Sequence, residues 1–380
     1  MLEDSKKSFS LKKCRSCNSR SIKLHSLRDK FPLYIWPLQK GQKTSLEDIG
    51  IYICMECGYI QLQDITEEQI SAIYRDEAFN IENSSQNQER LLLLTQEETN
   101  RFKKKKVLEI GGGRNAFLFS LPSCTEKWVA DFSVDEEVKR EVRGFFEGDF
   151  LDLHVNEQNF DYIFMFHVLE HFNDPGSAVR KATNLLNDKG KIIVEVPNFS
   201  YESKYRPDYT FFHMHISLFT QDSLISFMAR QGLSRYNLIK VNDVLFAEFS
   251  RNGSQIVDVH VEDSLSHLNL VEENISKCST HLKKIFQQLK YPTCAIFGGG
   301  GASTLFLYNY PFLFDHVRYA LDNDLKKAGR TLCNGRIPIV SPNKINDLEI
   351  GNVIVLDNTH IEYINNKKVN YISISDIYES

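Results

Sequence analysis

Val107-Leu-Glu-Ile-Gly-Gly-Gly-Arg-Asn115 is an apolar strand that runs straight into a glycine turn. Glycines directly after a buried strand let the backbone take positive φ and let a ligand approach the main chain closely. Gly111 and Gly113 form a Glu-x-Gly-x-Gly core with Glu109, and no third glycine follows at the spacing of a dinucleotide fingerprint. A full G-x-G-x-x-G favours a pyrophosphate resting on a helix N-terminus. The departure argues for a nucleotide of another kind.

Working outward, Trp128-Val-Ala-Asp131 reads as a second short strand ending in an acid about 20 residues beyond the first glycine, where a carboxylate can take ribose hydroxyls. Phe145-Phe-Glu-Gly-Asp149-Phe150 sets an acid after a third strand. Asp149 suits an adenine amino group, and Phe150 offers an apolar face and a backbone amide. Phe160-Asp-Tyr-Ile-Phe-Met-Phe-His-Val-Leu169 is nearly unbroken apolar sequence, as expected of a central parallel strand buried on both faces, and it leads into His167-Val-Leu-Glu-His171. Taken singly, these are ordinary strand ends of a doubly wound sheet. In this order and spacing they resemble the cofactor-binding half of S-adenosylmethionine-dependent methyltransferases. The resemblance implies an α/β, Rossmann-like class I methyltransferase domain, with Glu109, Gly111, Gly113, Asp131, Asp149, Phe150 and His167 at the cofactor.

A chain of 380 residues is too long for one typical core, so two or three domains are expected. Its 42% hydrophobic and 25% charged residues describe an ordinary globular protein. A net charge of -5 argues against a nucleic-acid surface, because phosphate neutralisation needs clustered cations. Lys103 to Lys106 is the one dense basic run and reads as a solvated helix end. The first residues carry two acids and no apolar stretch of signal-peptide type, and no apolar run approaches the ~20 residues of a membrane helix. A cytoplasmic protein without membrane partners is expected.

Cys14-Arg-Ser-Cys17 and Cys54-Met-Glu-Cys57 are two C-x-x-C pairs, the second followed by Gly58. Each pair aims two thiolates at one centre, and two such knuckles complete a closed tetrahedral Zn²⁺ shell of structural type. Leu33-Tyr-Ile-Trp-Pro37 and Ile51-Tyr-Ile53 read as short strands of a small zinc-stabilised β module at residues 1–65. His25 is a competing ligand that the second cysteine pair makes unnecessary. Chance cysteines or a redox pair are the alternatives.

Residues 66–100 read as a mostly helical connection opening on Thr66-Glu-Glu-Gln-Ile70, with a polar stretch from Ile81 to Arg90 that suits a linker or a lid. The cofactor domain spans residues 101–261. Within it a helix is expected from Asp174-Pro175 to about Leu186, then a strand over Lys191–Pro197, a helix from Gln221 and an antiparallel edge hairpin near Leu238–Val241 and Leu245–Phe249. His213 and His215, two apart, share a face if extended. With His167 and His171 they make four histidines near the carboxyl ends of neighbouring strands, where ligands bind in open α/β sheets. A histidine set without an adjoining carboxylate ligand reads as acid/base or hydrogen-bonding groups before it reads as a metal site. A linking helix is expected at 262–290. The pattern then restarts at 291–380, with Thr293-Cys-Ala-Ile-Phe297 entering Gly298-Gly-Gly-Gly-Ala302, Val317-Arg-Tyr-Ala-Leu-Asp322 ending in an acid, and Gly351–Asp357 as a further strand. This is a second Rossmann-like unit.

The whole layout resembles three-domain, zinc-containing sugar C-methyltransferases that act on nucleotide-linked deoxysugars. The likeness extends to the His-Val-Leu-Glu-His and His-Ile-Ser-Leu-Phe segments, the Gly-rich carboxyl-terminal turn, and Asp322-Asn-Asp-Leu-Lys-Lys-Ala-Gly329 followed by Ile337-Pro-Ile-Val-Ser-Pro342. It implies a monomer with S-adenosylmethionine and structural zinc as cofactors. It also implies His171 and His215 as active-site histidines, and substrate contacts at Phe79, Phe212, Gly298, Gly300 and Asp322. Two departures stand out: the family's Tyr-x-Glu-His is Phe212-His-Met-His215 here, and Phe79 and Ile81 stand where tyrosines are usual. His213 is the candidate replacement for the lost base. Because an imidazole near neutral pKa can deprotonate a hydroxyl, oxygen or nitrogen methylation is a second reading. A cofactor-binding scaffold without catalysis and an NAD-dependent reductase using the second glycine turn are the remaining alternatives.

Overall fold

A computed structural model describes residues 11–74, 84–96, 98, 100–114, 116–251, 257–289, 293–358, 361–364 and 369–379. The expectations on Phe79 and Ile81 lie outside these residues. The chain falls into two compact units built from non-contiguous segments, residues 1–26, 50–200 and 214–265 in the first and 27–49, 201–213 and 266–380 in the second. The consecutive division read along the sequence did not anticipate that grouping.

The first cysteine pair precedes β1 (Ile22–Pro32), and the second lies at the end of β2 (Leu46–Cys54) and in the turn into β3 (Ile60–Leu62). Leu33–Pro37, expected to be extended, lies outside any strand; the strand is the polar run just before it. Its lysines are exposed and His25 and Arg28 half-buried, so the run carries no apolar alternation. The region expected to be helical resolves into helices Glu67–Tyr74 and Ser84–Thr95.

The cofactor domain is a seven-stranded sheet. Its strands are β4 (Lys106–Ile110), β5 (Glu126–Asp131), β6 (Gly144–Glu147), β7 (Phe160–Phe166), β8 (Leu186–Pro197), β10 (Arg235–Val241) and β11 (Val244–Ser250), with the short β9 (Ser217–Leu218) pairing instead with β3. The order is β10-β11-β8-β7-β4-β5-β6. All neighbours are parallel except β11, which runs antiparallel to both β8 and β10. The expected edge hairpin is therefore present, and it departs from the all-parallel six-strand dinucleotide order. β7 sits at the centre for the reason its sequence gives: Ile163 and Met165 face one buried cluster, Tyr162, Phe164 and Phe166 the other. Each such side chain contributes about 1.5–3 kcal/mol by leaving water. The helix Pro175–Leu185 is started by Asp174, whose side chain accepts from the Ser177 amide at 2.8 Å, with Pro175 in the first turn.

In the second unit β12 (Cys294–Phe297), β13 (Val317–Leu321), β14 (Thr331–Leu332), β15 (Ile337–Val340), β16 (Asn352–Val355) and β17 (Asn370–Ser373) form a sheet ordered β14-β15-β13-β12-β16-β17. It is parallel apart from β14, and helix Gly301–Asn309 follows the glycine turn after β12, as a second Rossmann-like unit requires. The expected linking helix spans Val261–Gln288 and carries the chain from the first unit into the second. Among the described residues no helix is long and apolar enough to cross a membrane.

Candidate active site

At the carboxyl end of β4, Gly111 takes φ +85° and its amide donates to the Ala130 carbonyl at 2.9 Å. A Cβ on Gly113 would stand 2.0 Å from the Ser133 carbonyl oxygen and 2.7 Å from Asp131 Cγ, so only glycine fits there. Asp131 Oδ2 accepts from the Gly113 amide at 2.8 Å and Oδ1 from the Ser133 amide at 3.3 Å. Burial raises its pKa against these bonds. The proposed ribose carboxylate thus also ties β5 to the loop, and a carboxylate with about four lone-pair directions keeps capacity for hydroxyls.

Glu109 is buried and anchors the turn that follows the glycines. Its two oxygens accept from the Phe117 and Leu118 amides, both at 3.1 Å, and a Cβ on Gly112 would meet its Cδ at 2.7 Å. Burial pushes its carboxyl up to about 7, against the two amide bonds. Asp149 Oδ1 accepts from the Leu151 amide at 2.8 Å, and Lys181 Nζ donates to the carbonyls of Phe150, Leu151 and Leu153, fastening the loop after β6. The Phe150 ring belongs to the buried core and packs near Phe172, with ring centroids 6.4 Å apart. The open apolar face expected of it is therefore occupied by protein.

Three of the four expected histidines converge, and they do so on a carboxylate that sequence reasoning passed over. Glu170, only 1% exposed, sits in a single helical turn Leu169–His171 at the end of β7. Its Oε1 lies 3.3 Å from His167 Nδ1, 3.9 Å from His171 Nε2 and 4.0 Å from His215 Nε2. Among the described residues no donor hydrogen-bonds either oxygen. His167, at φ +49°, turns its ring so that Nε2 reaches Glu195 Oε1 at 3.0 Å, and Arg90 bridges both Glu195 oxygens at 2.8 and 2.9 Å. His171 Nδ1 is 2.9 Å from the Met214 carbonyl; because a carbonyl only accepts, Nδ1 carries the proton and Nε2 presents its lone pair toward Glu170.

The electrostatics divide the cluster. Burial would raise Glu170, yet pairing with His167 and the fields of His171 and His215 hold it down to about 2. Burial would lower His167, yet Glu170 and Glu195 raise it to about 10. Burial lowers His171, and burial with the neighbouring His171 ring lowers His215 to about 3. The site holds one imidazolium, one carboxylate and two neutral imidazoles. It abuts the glycine loop, since a Cβ on Gly111 would lie 3.1 Å from Val168.

His213 does not join them. Residues 213 and 214 form a turn rather than an extended pair, and the buried His213 ring contacts the Phe31 carbonyl at 3.3 Å within the second unit. Phe212 is buried in the same unit beside Tyr209, ring centroids 5.5 Å apart. The polar stretch expected as linker or lid is helical from Ser84, and its Arg90 is bound to β8 through Glu195.

In the second unit Gly298 takes φ +102°, the Gly299 amide donates to Asp322 Oδ2 at 2.7 Å, and Lys327 Nζ reaches the same oxygen at 2.9 Å. Gly300 precedes helix Gly301–Asn309 with no atom crowding its Cβ position.

The four cysteines Cys14, Cys17, Cys54 and Cys57 hold their sulfurs within 4.8 Å of one another, with Cys14–Cys57 and Cys17–Cys54 at 3.6 Å. That matches the edge of about 3.8 Å in a tetrahedron of ~2.3 Å Zn–S bonds. His25 is not among the four. Each knuckle closes alike: Asn18 (φ +61°) donates to the Cys14 carbonyl and Gly58 (φ +64°) to that of Cys54, both at 2.9 Å.

Residues 82–237 match a methyltransferase domain family. No curated protein is detectably similar to the chain in sequence. Similar solved structures include a candidate O-methyltransferase from Nostoc punctiforme PCC 73102, 17% identical over 46% of this chain and 58% of that one, with a TM-score of 0.37. An O-methyltransferase family protein from Burkholderia thailandensis is 15% identical over 50% of this chain and 64% of that one, TM-score 0.39. The chain thus spans less than two thirds of the length of both. An S-adenosylmethionine-dependent methyltransferase from Clostridium acetobutylicum ATCC 824 is 10% identical over 49% of this chain and 99% of that one, TM-score 0.34. Superpositions this loose carry no argument, and the assignment rests on the domain match. Residues 82–237 thus carry a methyltransferase domain.

Proposed function

We propose that this protein is an S-adenosylmethionine-dependent enzyme that methylates a small molecule, a nucleotide-linked sugar, with the acceptor atom beside Glu170, His171 and His215. The observation that carries the reading is the convergence of a buried carboxylate and two neutral imidazoles next to the Gly111 loop. A methyl acceptor needs its proton removed, and the neutral His171, with its Nε2 lone pair turned into the cluster, suits that task. The sugar-nucleotide assignment is supported by the second glycine turn with Asp322 and Lys327, and by the resemblance of the whole layout to sugar C-methyltransferases. Glu109, Gly111, Gly113, Asp131, Asp149 and His167 shape or line the cofactor loop, and Zn²⁺ on the four thiolates holds the amino-terminal knuckles together. A monomer without nucleic-acid or membrane partners completes the proposal.

Carbon methylation follows from the resemblance. Oxygen or nitrogen methylation is favoured by one observation: His213, the candidate replacement for the missing tyrosine and glutamate, is engaged with the Phe31 carbonyl. Transfer of a ¹³C-methyl group from S-adenosylmethionine to a panel of nucleotide-linked sugars, followed by NMR, decides between them. A label on a ring carbon establishes the first and a label on oxygen or nitrogen the second; cofactor binding without transfer to any sugar contradicts the substrate class.

A further inference from the structure

We propose that Glu170, His171 and His215 form a second metal site, for a borderline divalent cation such as Zn²⁺, separate from the four cysteines. The inference deepens the reading of this cluster as the acceptor end of the methyltransferase and rests on it for its role in catalysis.

Four observations converge. The first is the donor set, since one ligand atom from each of the three residues lies within 4.8 Å of the others. Two imidazole nitrogens and one carboxylate oxygen are the three protein ligands of many open, catalytic zinc sites, which keep a position for an exchangeable oxygen. The second is the spacing. The 3.9 and 4.0 Å separations from Glu170 Oε1 to the two Nε2 atoms exceed the edge of about 3.4 Å expected for ~2.1 Å bonds, so the ligands would close by a few tenths of an ångström on the ion.

The third is the carboxylate itself. Glu170 is buried, and among the described residues neither oxygen has a hydrogen-bond donor. A carboxylate withdrawn from water without hydrogen bonds costs several kcal/mol unless a cation compensates it. His167 supplies part of that compensation at 3.3 Å from Oε1 but is itself shared with Glu195. The fourth is orientation. His171 gives its Nδ1 proton to the Met214 carbonyl, the arrangement by which metal-ligating histidines fix their tautomer and aim the other nitrogen. Met214 is also the residue before His215, so the turn that sets the His171 tautomer delivers the third ligand.

The soft Cys₄ set and this N₂O set differ in kind, which separates them experimentally. With an ion bound, the imidazole lone pairs become ligands. An ion there would hold an acceptor hydroxyl at its open position and lower its pKa, so that the proton would leave to solvent rather than to His171 or His215 before the oxygen takes the methyl group and the sulfonium becomes a thioether.

The test uses the full chain loaded with Zn²⁺ and dialysed, with metal counted by elemental analysis and the coordination shell read by X-ray absorption at the zinc edge. The expected result is two zinc ions per chain and a mixed shell, sulfur at about 2.3 Å with nitrogen or oxygen at about 2.0–2.1 Å. One ion per chain, or a shell of sulfur alone, overturns the proposal without need of any variant. Glu170→Gln, nearly the same shape, and His215→Ala are each expected to retain the cysteine-bound ion and to weaken the second by at least ten-fold. Retention of both ions at undiminished affinity in either variant also overturns it. S-adenosylmethionine titration of the same samples keeps the two readings apart. Two ions without cofactor binding contradicts the methyltransferase site and leaves the metal site standing; cofactor binding with one ion does the reverse.

Discussion

Glu195 is a residue whose titration is set by its neighbours. Burial would raise its carboxyl, but hydrogen bonds from Arg90 and His167 hold it down to about 2 from an ordinary 4.5. A depressed acid contributes stability that is present above about 4.5 and disappears as pH falls toward about 2. The full contribution is at most about 3 kcal/mol. Glu195→Gln is expected to cost that amount at pH 7, and the gap from wild type should narrow when urea unfolding is repeated near pH 4. A gap independent of pH would contradict the ion-pair account. Glu109 makes a different prediction, because it serves two loop amides. Glu109→Gln presents an NH₂ where an acceptor is needed and should lower unfolding free energy by about 1–3 kcal/mol in the same assay.

At the scale of elements, the glycine turn after β4 tolerates no side chain at position 113, where a Cβ would overlap Ser133 and Asp131. Gly113→Ala should abolish measurable S-adenosylmethionine binding by calorimetry and leave the far-ultraviolet circular dichroism of the wild type. Unchanged affinity would mean the loop does not hold the cofactor. The cysteine knuckles form a separate element, so Cys14→Ser should release zinc and destabilise the amino-terminal module while cofactor binding survives. Much of this was legible in the sequence. β4, β5, β7 and the edge hairpin announce themselves through apolar runs and glycine punctuation, which are local signals. Leu33–Pro37 was misread because apolar content was taken for strand, whereas the neighbouring polar run supplies it. Glu170 was overlooked because in His-Val-Leu-Glu-His it reads as a spacer; only the turn at Leu169–His171 brings its oxygen to the rings. Arg90 with Glu195, and Lys181 with the carbonyls after β6, join residues far apart in sequence, and neither spacing nor periodicity marks such pairs.

At the scale of the whole molecule, two sheets of Rossmann type lie on one chain, each with a glycine turn after its first parallel strand and an acid after the next. That repetition was readable from the sequence, but the exchange of segments between the two units was not, because it depends on which parts of the chain pack together. The first turn is expected to hold the cofactor, and the second, on the proposal above, the nucleotide of the substrate. Titration of S-adenosylmethionine into the wild type, Asp131→Ala and Asp322→Ala tests that assignment most directly. The expected result is one site per chain, weakened at least ten-fold by Asp131→Ala and unchanged by Asp322→Ala, with all three proteins folded. Loss of binding in Asp322→Ala with Asp131→Ala unaffected would place the cofactor in the wrong half of the molecule and contradict the account.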